Sequence, residues 1–253
     1  MSDDRHHDRR FAYRPGSRQE AFNVPLVGRQ IIEAINAHAA ASSGREVLDV
    51  GCGGQPMRGF LESKGYRYTG LDIAAQSGIK LDFTLALDQP WPDAVHENGG
   101  YDLVLCTEVL EHVHGWPTAW QNLSRVLRPG GSLIVSCPFF YPLHEVPHDH
   151  WRPTTFAIRK SAADVGLDVV ELKTLGDAWD VLGTLAGAAV PIPGSGLLAW
   201  PATLFARLTR NLVWFACRSR LLRQSVTLRT PLYLGNFTVL RSRDEPPQRA
   251  STP

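Results

Sequence analysis

The chain has 253 residues, 43% hydrophobic and 20% charged, with 26 basic against 25 acidic residues and a net charge of +1. That composition excludes a wholly disordered chain and gives no overall electrostatic signature for nucleic acid. The cysteines, Cys52, Cys106, Cys137 and Cys217, are too scattered for a disulfide framework or a zinc ribbon, so reduced thiols are the expectation.

The opening MSDDRHHDRR is charged, aperiodic and free of any apolar secretory stretch. It reads as a disordered arm of a cytoplasmic protein. From Val24 to about Ala41, Leu26, Ile31, Ile32, Ile35 and Ala39 recur at helical spacing. Strands follow near 46–51, 67–73, 80–85, 101–107 and 132–138, with helices near 57–64, 117–127 and 154–165. A sixth strand falls near 168–174, after Gly166, and a last one from Leu234 to Arg241. Alternating strands and helices predict an α/β domain with a mostly parallel sheet covered on both faces. The chain therefore divides into an arm (1–23), a core (24–176), a helical insert (177–232), the last core strand (233–243) and a disordered tail (244–253).

Two strand ends carry the chemistry. Val47-Leu48-Asp49-Val50 runs into Gly51-Cys52-Gly53-Gly54, and Tyr68-Thr69-Gly70-Leu71 ends in Asp72-Ile73. Glycines without a Cβ let a ligand approach the main chain, and a carboxylate on the next strand reaches ribose hydroxyls at the same edge. The turn lacks the third spaced glycine of the dinucleotide fingerprint, which argues against NAD. Tyr101–Val113, reading YDLVLCTEVLEHV, and Leu127–Ser136, reading LRPGGSLIVS, follow in order. With these four motifs the chain resembles the class I S-adenosylmethionine-dependent methyltransferases. The resemblance implies a Rossmann-like, seven-stranded sheet of order 3-2-1-4-5-7-6 with the last strand antiparallel. It implies S-adenosylmethionine as cofactor, held by Asp49, Gly51, Cys52, Gly53, Asp72 and Ile73. Asp82 and Phe83 are expected near the adenine, and Cys106 and Thr107 at the crevice end of the fourth strand.

The loop Pro138–Thr154 leaves the fifth strand at the same edge and contains His144-Glu145-Val146-Pro147-His148. Those letters match the zinc-protease pattern, but Pro147 is incompatible with the helix that pattern needs. No metal is expected, and chelators should leave activity intact. The loop is similar to a segment of bacterial methyltransferases of glycan and natural-product pathways, with Pro138, Phe139, Tyr141, Pro142, His144, Pro147, Asp149, Arg152 and Thr154 matching. A hydroxyl acceptor must lose a proton, and histidine titrates near neutrality. His144 is the first choice as base and His148 the second, with Asp149 orienting the imidazole; Tyr141, His144 and Arg152 are assigned to the acceptor. Arg152 has the alternative role of ordering the loop against a carboxylate, and all of these residues have the alternative of knitting the loop together. Glu108, Glu111 and His112 form a further cluster, in which a helix-dipole interaction suffices for Glu111.

Between Asp180 and Asp244 the chain has eight arginines and no acidic residue. Within that span Leu204, Phe205, Leu208, Leu212 and Phe215 fall on one helical side, away from most of the arginines. Such a helix lies on an anionic membrane, covers an apolar acceptor, forms a homodimer interface, or caps its own core. Pro191, Pro193, Gly194 and Gly196 break the apolar stretch before it could span a bilayer. The sequence thus reads as a methyltransferase acting on oxygen of a glycan, glycolipid or related secondary metabolite. The alternatives are a methyltransferase of a quinone or other aromatic ring, and a cofactor-binding module without catalysis.

Overall fold

The computed structural model describes residues 13–96 and 99–243. The disorder expected for the first twelve residues and for the tail from 244 lies outside the described residues. In chain order the strands are β1 (Glu46–Val50), β2 (Arg67–Asp72), β3 (Phe83–Thr84), β4 (Tyr101–Thr107), β5 (Leu127–Pro138), β6 (Leu167–Leu175) and β7 (Gly235–Ser242). The helices are α1 (Glu20–Ala41), α2 (Arg58–Ser63), α3 (Trp116–Arg125), α4 (Thr155–Asp164), α5 (Ala178–Ala188), α6 (Ala199–Arg218) and α7 (Arg220–Ser225).

One seven-stranded sheet runs β3-β2-β1-β4-β5-β7-β6. Only β7 is antiparallel, pairing with β5 on one side and β6 on the other. The order reverses between β1 and β4, and in such sheets ligands bind outside the carboxyl ends of the strands at that switch point. The central strands are apolar on both faces because both faces are covered. Val47, Leu103, Leu105 and Ile134 pack under Val27, Ile31 and Ile35 of α1. Leu48, Val104, Leu133 and Val135 face Ala119, Trp120 and Leu123 of α3 and Ile158 of α4. Each such side chain contributes ~1.5–3 kcal/mol by leaving water. Truncating Leu48 to Ala would cost ~2–5 kcal/mol once the residual cavity is included.

Three boundaries differ from the sequence reading. Helix α1 starts at Glu20 and passes Pro25, because Phe22 is buried edge-on against Trp214, 6.0 Å between centroids, which anchors the extra turn. Strand β3 shrinks to two residues, and β5 starts at Leu127, so the Pro129-Gly130-Gly131 stretch is an irregular start to the strand, with a register shift opposite Tyr101–Leu103. In the insert, α6 buries Thr203, Trp214 and Cys217 only. Leu204, Phe205, Leu208, Leu212 and Phe215 all face solvent, as does Trp200. The apolar stripe is therefore not a cap on its own core, and Trp200 is not a core residue.

Candidate functional site

Strand β1 delivers Asp49 and the glycine turn to the switch point. Gly51 and Gly53 both have positive φ, +69° and +50°, a region open to glycine at little cost. A Cβ on Gly51 would come within 2.3 Å of Val109 Cγ2, so the turn after β4 closes directly on the glycine turn. The main chain is tied to β2, with Gly51 N and Cys52 N donating to Leu71 O at 2.8 and 3.2 Å. Asp72 Oδ2 accepts from Gly53 N and Oδ1 from Ile73 N, each at 2.7 Å. A carboxylate has about four lone-pair sites, so both oxygens can still accept from ribose hydroxyls. Asp49 accepts from the Tyr68 hydroxyl at 2.7 Å. Burial drives its carboxyl up to about 7, against the Tyr68 hydrogen bond and with help from Asp72. The same burial pushes the Cys52 thiol up to about 12, so Cys52 serves the turn as a packed apolar group.

The other positions expected around a nucleoside are placed unevenly. Ile73 is exposed just past β2, in position to lie against a ligand. Asp82 Oδ2 accepts from Gly70 N at 2.8 Å and Asp82 N donates to Gly70 O, so one oxygen of this exposed residue is committed to holding β3 on β2. Phe83 packs partly buried against the core. The Cys106 side chain is fully buried among core residues and reaches the edge only through its main chain. Thr107 Oγ1 lies 3.0 Å from the Tyr13 hydroxyl, so the arm crosses the end of β4.

Beside this edge lies a dense polar cluster. Glu108, at φ +55°, follows β4 and accepts from Ser136 Oγ at 2.8 Å. Glu111 and His112 follow on a single 3₁₀ turn, Leu110–His112. Glu111 is completely buried, and neither of its oxygens has a hydrogen-bond partner. A dipole at an exposed helix end therefore does not account for Glu111. Burial raises both carboxyls, and each is the other's close acidic neighbour, with Glu111 well above the usual carboxylate range. His144 comes from the loop after β5, its ring edge-on to His112 at 4.8 Å and to Tyr141 at 5.4 Å. Burial, and then the nearby His112, lower His144 to about 4.

Asp149 and Arg152 hold that loop. Arg152 grips Asp149 with two nitrogens, one 2.6 Å from Oδ2, and points further donors at the carbonyls of Tyr141 and Pro142. Desolvation pulls the Asp149 carboxyl upward, but the Arg152 hydrogen bonds and the His144 N–H hold it at about 2. Asp149 Oδ2 accepts from the His144 main-chain N–H at 3.0 Å and lies 3.3 Å from His144 Nδ1 without hydrogen-bond alignment, so it fixes the backbone of His144 and acts on the ring by charge. These contacts of Arg152 are those of the loop-ordering alternative. His148, the second choice of base, meets the cluster through its carbonyl, which accepts from His112 Nδ1 at 2.8 Å, while its imidazole is exposed toward His150. The segment 139–154 contains no helix, in keeping with Pro147.

Sequence reasoning passed over several participants. Asn23 is a buried polar residue on an otherwise apolar helix face and hydrogen-bonds Glu108. Gln76 lies against Gly53 with its Oε1 buried and unpartnered. Tyr13 and Gln76 carry no local signal, since each is a lone polar residue in a segment without periodicity. Asn23 was detectable as a polar break in the apolar stripe of α1.

The comparisons with known proteins bear on the family and the fold. A family model described as a methyltransferase domain matches residues 24–172. A ubiquinone biosynthesis O-methyltransferase of Rickettsia canadensis is 32% identical over 123 residues, 44% of this chain and 50% of that protein. One of Paracidovorax citrulli is 35% identical over 108 residues, 38% and 45% of the two chains. The chain thus spans about half the length of the curated relatives it matches. Among solved structures, the 1,6-didemethyltoxoflavin-N1-methyltransferase of Burkholderia thailandensis, with S-adenosylhomocysteine bound, superposes with a TM-score of 0.52 at 13% identity over 86% of this chain and 79% of that one. The [4+2]-cyclase SpnF scores 0.52 at 17% identity, over 85% and 81%. Both likenesses concern the fold alone. With a matched domain covering more than half of its length and a sheet in the order its motifs imply, the chain belongs to the methyltransferase-domain family and has the class I, S-adenosylmethionine-dependent fold.

Proposed function

We propose that the chain is an S-adenosylmethionine-dependent O-methyltransferase whose acceptor is a quinone or related aromatic hydroxyl. The observation that carries the reading is the closure of Val109 on Gly51, which brings the turn bearing Glu108, Glu111 and His112, with His144 beside it, up to the glycine turn. The curated relatives favour the aromatic acceptor over the glycan or glycolipid that the loop after β5 suggests.

The residues at the turn fit the cofactor. Two glycines at positive φ bring the main chain close, Asp72 retains lone pairs for a ribose, and Gln76 Oε1 lacks a partner beside Gly53. When bound, S-adenosylmethionine supplies a methyl group on a positively charged sulfur. Asp72 would orient the ribose, and Asp49, poised near neutrality, would favour positive charge beside it. Asp149 orients His144, and the loop that Arg152 ties down holds Tyr141 and His144 on the acceptor side. At pH 7 the His144 imidazole is neutral and its Nε2 lone pair can receive the acceptor proton. With its pKa down at about 4 it is a weak base, so alignment of the acceptor carries most of the acceleration.

The insert extends the proposal to location. No described helix is long and apolar enough to cross a membrane. The exposed stripe of α6, flanked by Arg207, Arg210 and Arg218 with no acid nearby in sequence, suits a helix lying in an anionic lipid surface. A lipid-soluble quinone would be met there. The test is transfer of a labelled methyl group into extracts fractionated as aromatics, lipids and glycans, read by mass spectrometry. Label in a quinone or phenol is expected. Label confined to glycans would overturn the acceptor, and tight cofactor binding with no transfer to any fraction would leave a binding module without catalysis.

A further inference from the structure

The residues just before α1 form a short arm with a fixed root and a fixed tip. At the root, the Arg18 carbonyl accepts from Trp214 Nε1 at 3.1 Å and the Gln19 carbonyl from Thr184 Oγ1 at 3.4 Å, so α5 and α6 hold it. The Arg18 guanidinium also lies over the Trp214 ring, 5.0 Å from its centroid. Between root and tip, Arg14, Pro15 and Gly16 are exposed and belong to no helix or strand. At the tip, the Tyr13 hydroxyl and Thr107 Oγ1 share a hydrogen bond of 3.0 Å. Strands β1 and β4 are in parallel register with Val50 opposite Cys106, so Thr107 stands level with Gly51. The Tyr13 hydroxyl therefore reaches the carboxyl edge of the sheet at the switch point, beside the glycine turn.

Two further features show that this placement of Tyr13 is built into the chain. Gly28 lies buried in the interior of α1, where glycine is less favourable than alanine. A Cβ at Gly28 would stand 2.8 Å from Tyr13 Cβ, an atom tied to the main chain that cannot swing away. The bare helix surface at Gly28 is thus the seat of Tyr13. Tyr13 itself has φ +46°, a region that a bulky residue adopts only where its surroundings hold it. The residue also borders an open groove lined by Pro56, Met57 and Phe60, just past the glycine turn, so the tip has room to swing aside.

We propose that the arm is a latch on the cofactor crevice, with Tyr13 as its tip, Gly28 as its seat and Thr107 as its catch. Closed, it covers the end of β4 and retains S-adenosylmethionine; open, it lets cofactor enter and S-adenosylhomocysteine leave. Tyr13 is a positioning residue in this scheme and takes no proton. Because the same contact must break for entry and for exit, its loss speeds both and leaves the dissociation constant nearly unchanged. The latch rests on the cofactor of the family and not on the acceptor proposed above.

The test is the kinetics of S-adenosylhomocysteine binding to the full chain by surface plasmon resonance, with thermal melting of the cofactor-free protein as the check on folding. Tyr13→Phe should raise the association and release rates together, each about two- to tenfold, the worth of one neutral hydrogen bond. Gly28→Ala, which alters no group at the crevice, should raise both rates at least as much because it evicts Tyr13 from its seat. Adding Gly28→Ala to Tyr13→Ala should change the rates no further. If the arm does not sit on Gly28, Gly28→Ala only improves the helix, and a higher melting temperature with native rates would overturn the latch. Faster release with native association would make Tyr13 a plain cofactor contact and overturn it equally. Should Gly28→Ala fail to fold, the Tyr13→Phe rates decide. Failure to methylate a quinone would refute the acceptor proposed above and leave these rates, and the latch, standing.

Discussion

Asp49→Asn should stabilise the cofactor-free protein at neutral and alkaline pH while leaving it unchanged in acid. Asp49 is buried, with only the Tyr68 hydroxyl as hydrogen-bond donor, and its carboxyl is driven from an ordinary 3.8 to about 7. A folded-state pKa above the unfolded one means that the folded protein holds an extra proton between those values, so stability falls as pH rises through that window. A raise of about three pH units is equivalent to about 4 kcal/mol at 1.36 kcal/mol per unit, which is a ceiling. Asparagine keeps an oxygen for Tyr68 and carries no charge, so the loss vanishes in the variant. Urea unfolding from pH 4 to pH 8.5 would measure it. The two proteins should agree near pH 4, and the variant should lead by roughly 2–4 kcal/mol above pH 7.5, or about 2–4 °C in Tm for each kcal/mol. Other titrating groups are common to both proteins and cancel in the difference. Parallel profiles for the two proteins across the range would refute the argument, because they would mean that Asp49 ionises without penalty inside the fold.

Asp72→Ala should weaken S-adenosylmethionine binding by roughly ten- to a hundredfold, the worth of a charged hydrogen bond at ~1.5–3 kcal/mol, and unchanged calorimetric affinity in a folded variant would remove Asp72 from the site. His144→Ala should cut turnover by about 10²-fold, the low end for a general base because its lowered pKa makes it a weak one, while His148→Ala should have little effect because His148 engages His112 through its main-chain carbonyl; equal effects in steady-state assays would undo that division. Native protein should co-sediment with anionic vesicles and be released by salt, since each basic residue near such a surface gains ~1 kcal/mol. Replacing Arg207, Arg210 and Arg218 by Gln, or Leu204, Phe205 and Leu208 by Ser, should reduce that binding without altering cofactor affinity, and native protein that ignores vesicles at low salt would sink the membrane contact.

The strands were legible because each announces itself locally, whereas their order in the sheet was implied by the resemblance of the four motifs to a known family. Leu103–Cys106 is a continuous apolar run and Val47–Val50 is one broken only by Asp49, as strands buried on both faces require, and the glycine turn and Asp72 lie at the ends of such runs. Gly51 and Asp72 could be placed at one edge because parallel neighbours bring their carboxyl ends together. The extra turn of α1 was not legible, since Phe22 is helical through its contact with Trp214, nearly two hundred residues away. The direction of the α6 stripe was equally hidden. Periodicity shows that Leu204, Phe205, Leu208 and Leu212 share a side, but only the packing of Trp214 and Cys217 against α1 and α5 turns that side outward.

The polar cluster divides the two kinds of information most clearly. From the sequence alone, His144 and Asp149 were loop residues near the mouth of a crevice, and Glu111 was a carboxylate at the start of a turn. Their chemistry was written in their side chains and in the motifs around them. What the sequence could not give was distance: Glu111 comes within 3.9 Å of His144 across thirty-odd residues of chain, where burial raises the carboxylate and lowers the imidazole in pKa. Residue types and strand positions follow from local pattern, which is covalent and short-range. Burial, partnership and ionisation follow from how β4 and β5 align, with Thr107 beside Ser136, and that alignment exists only once the sheet has closed.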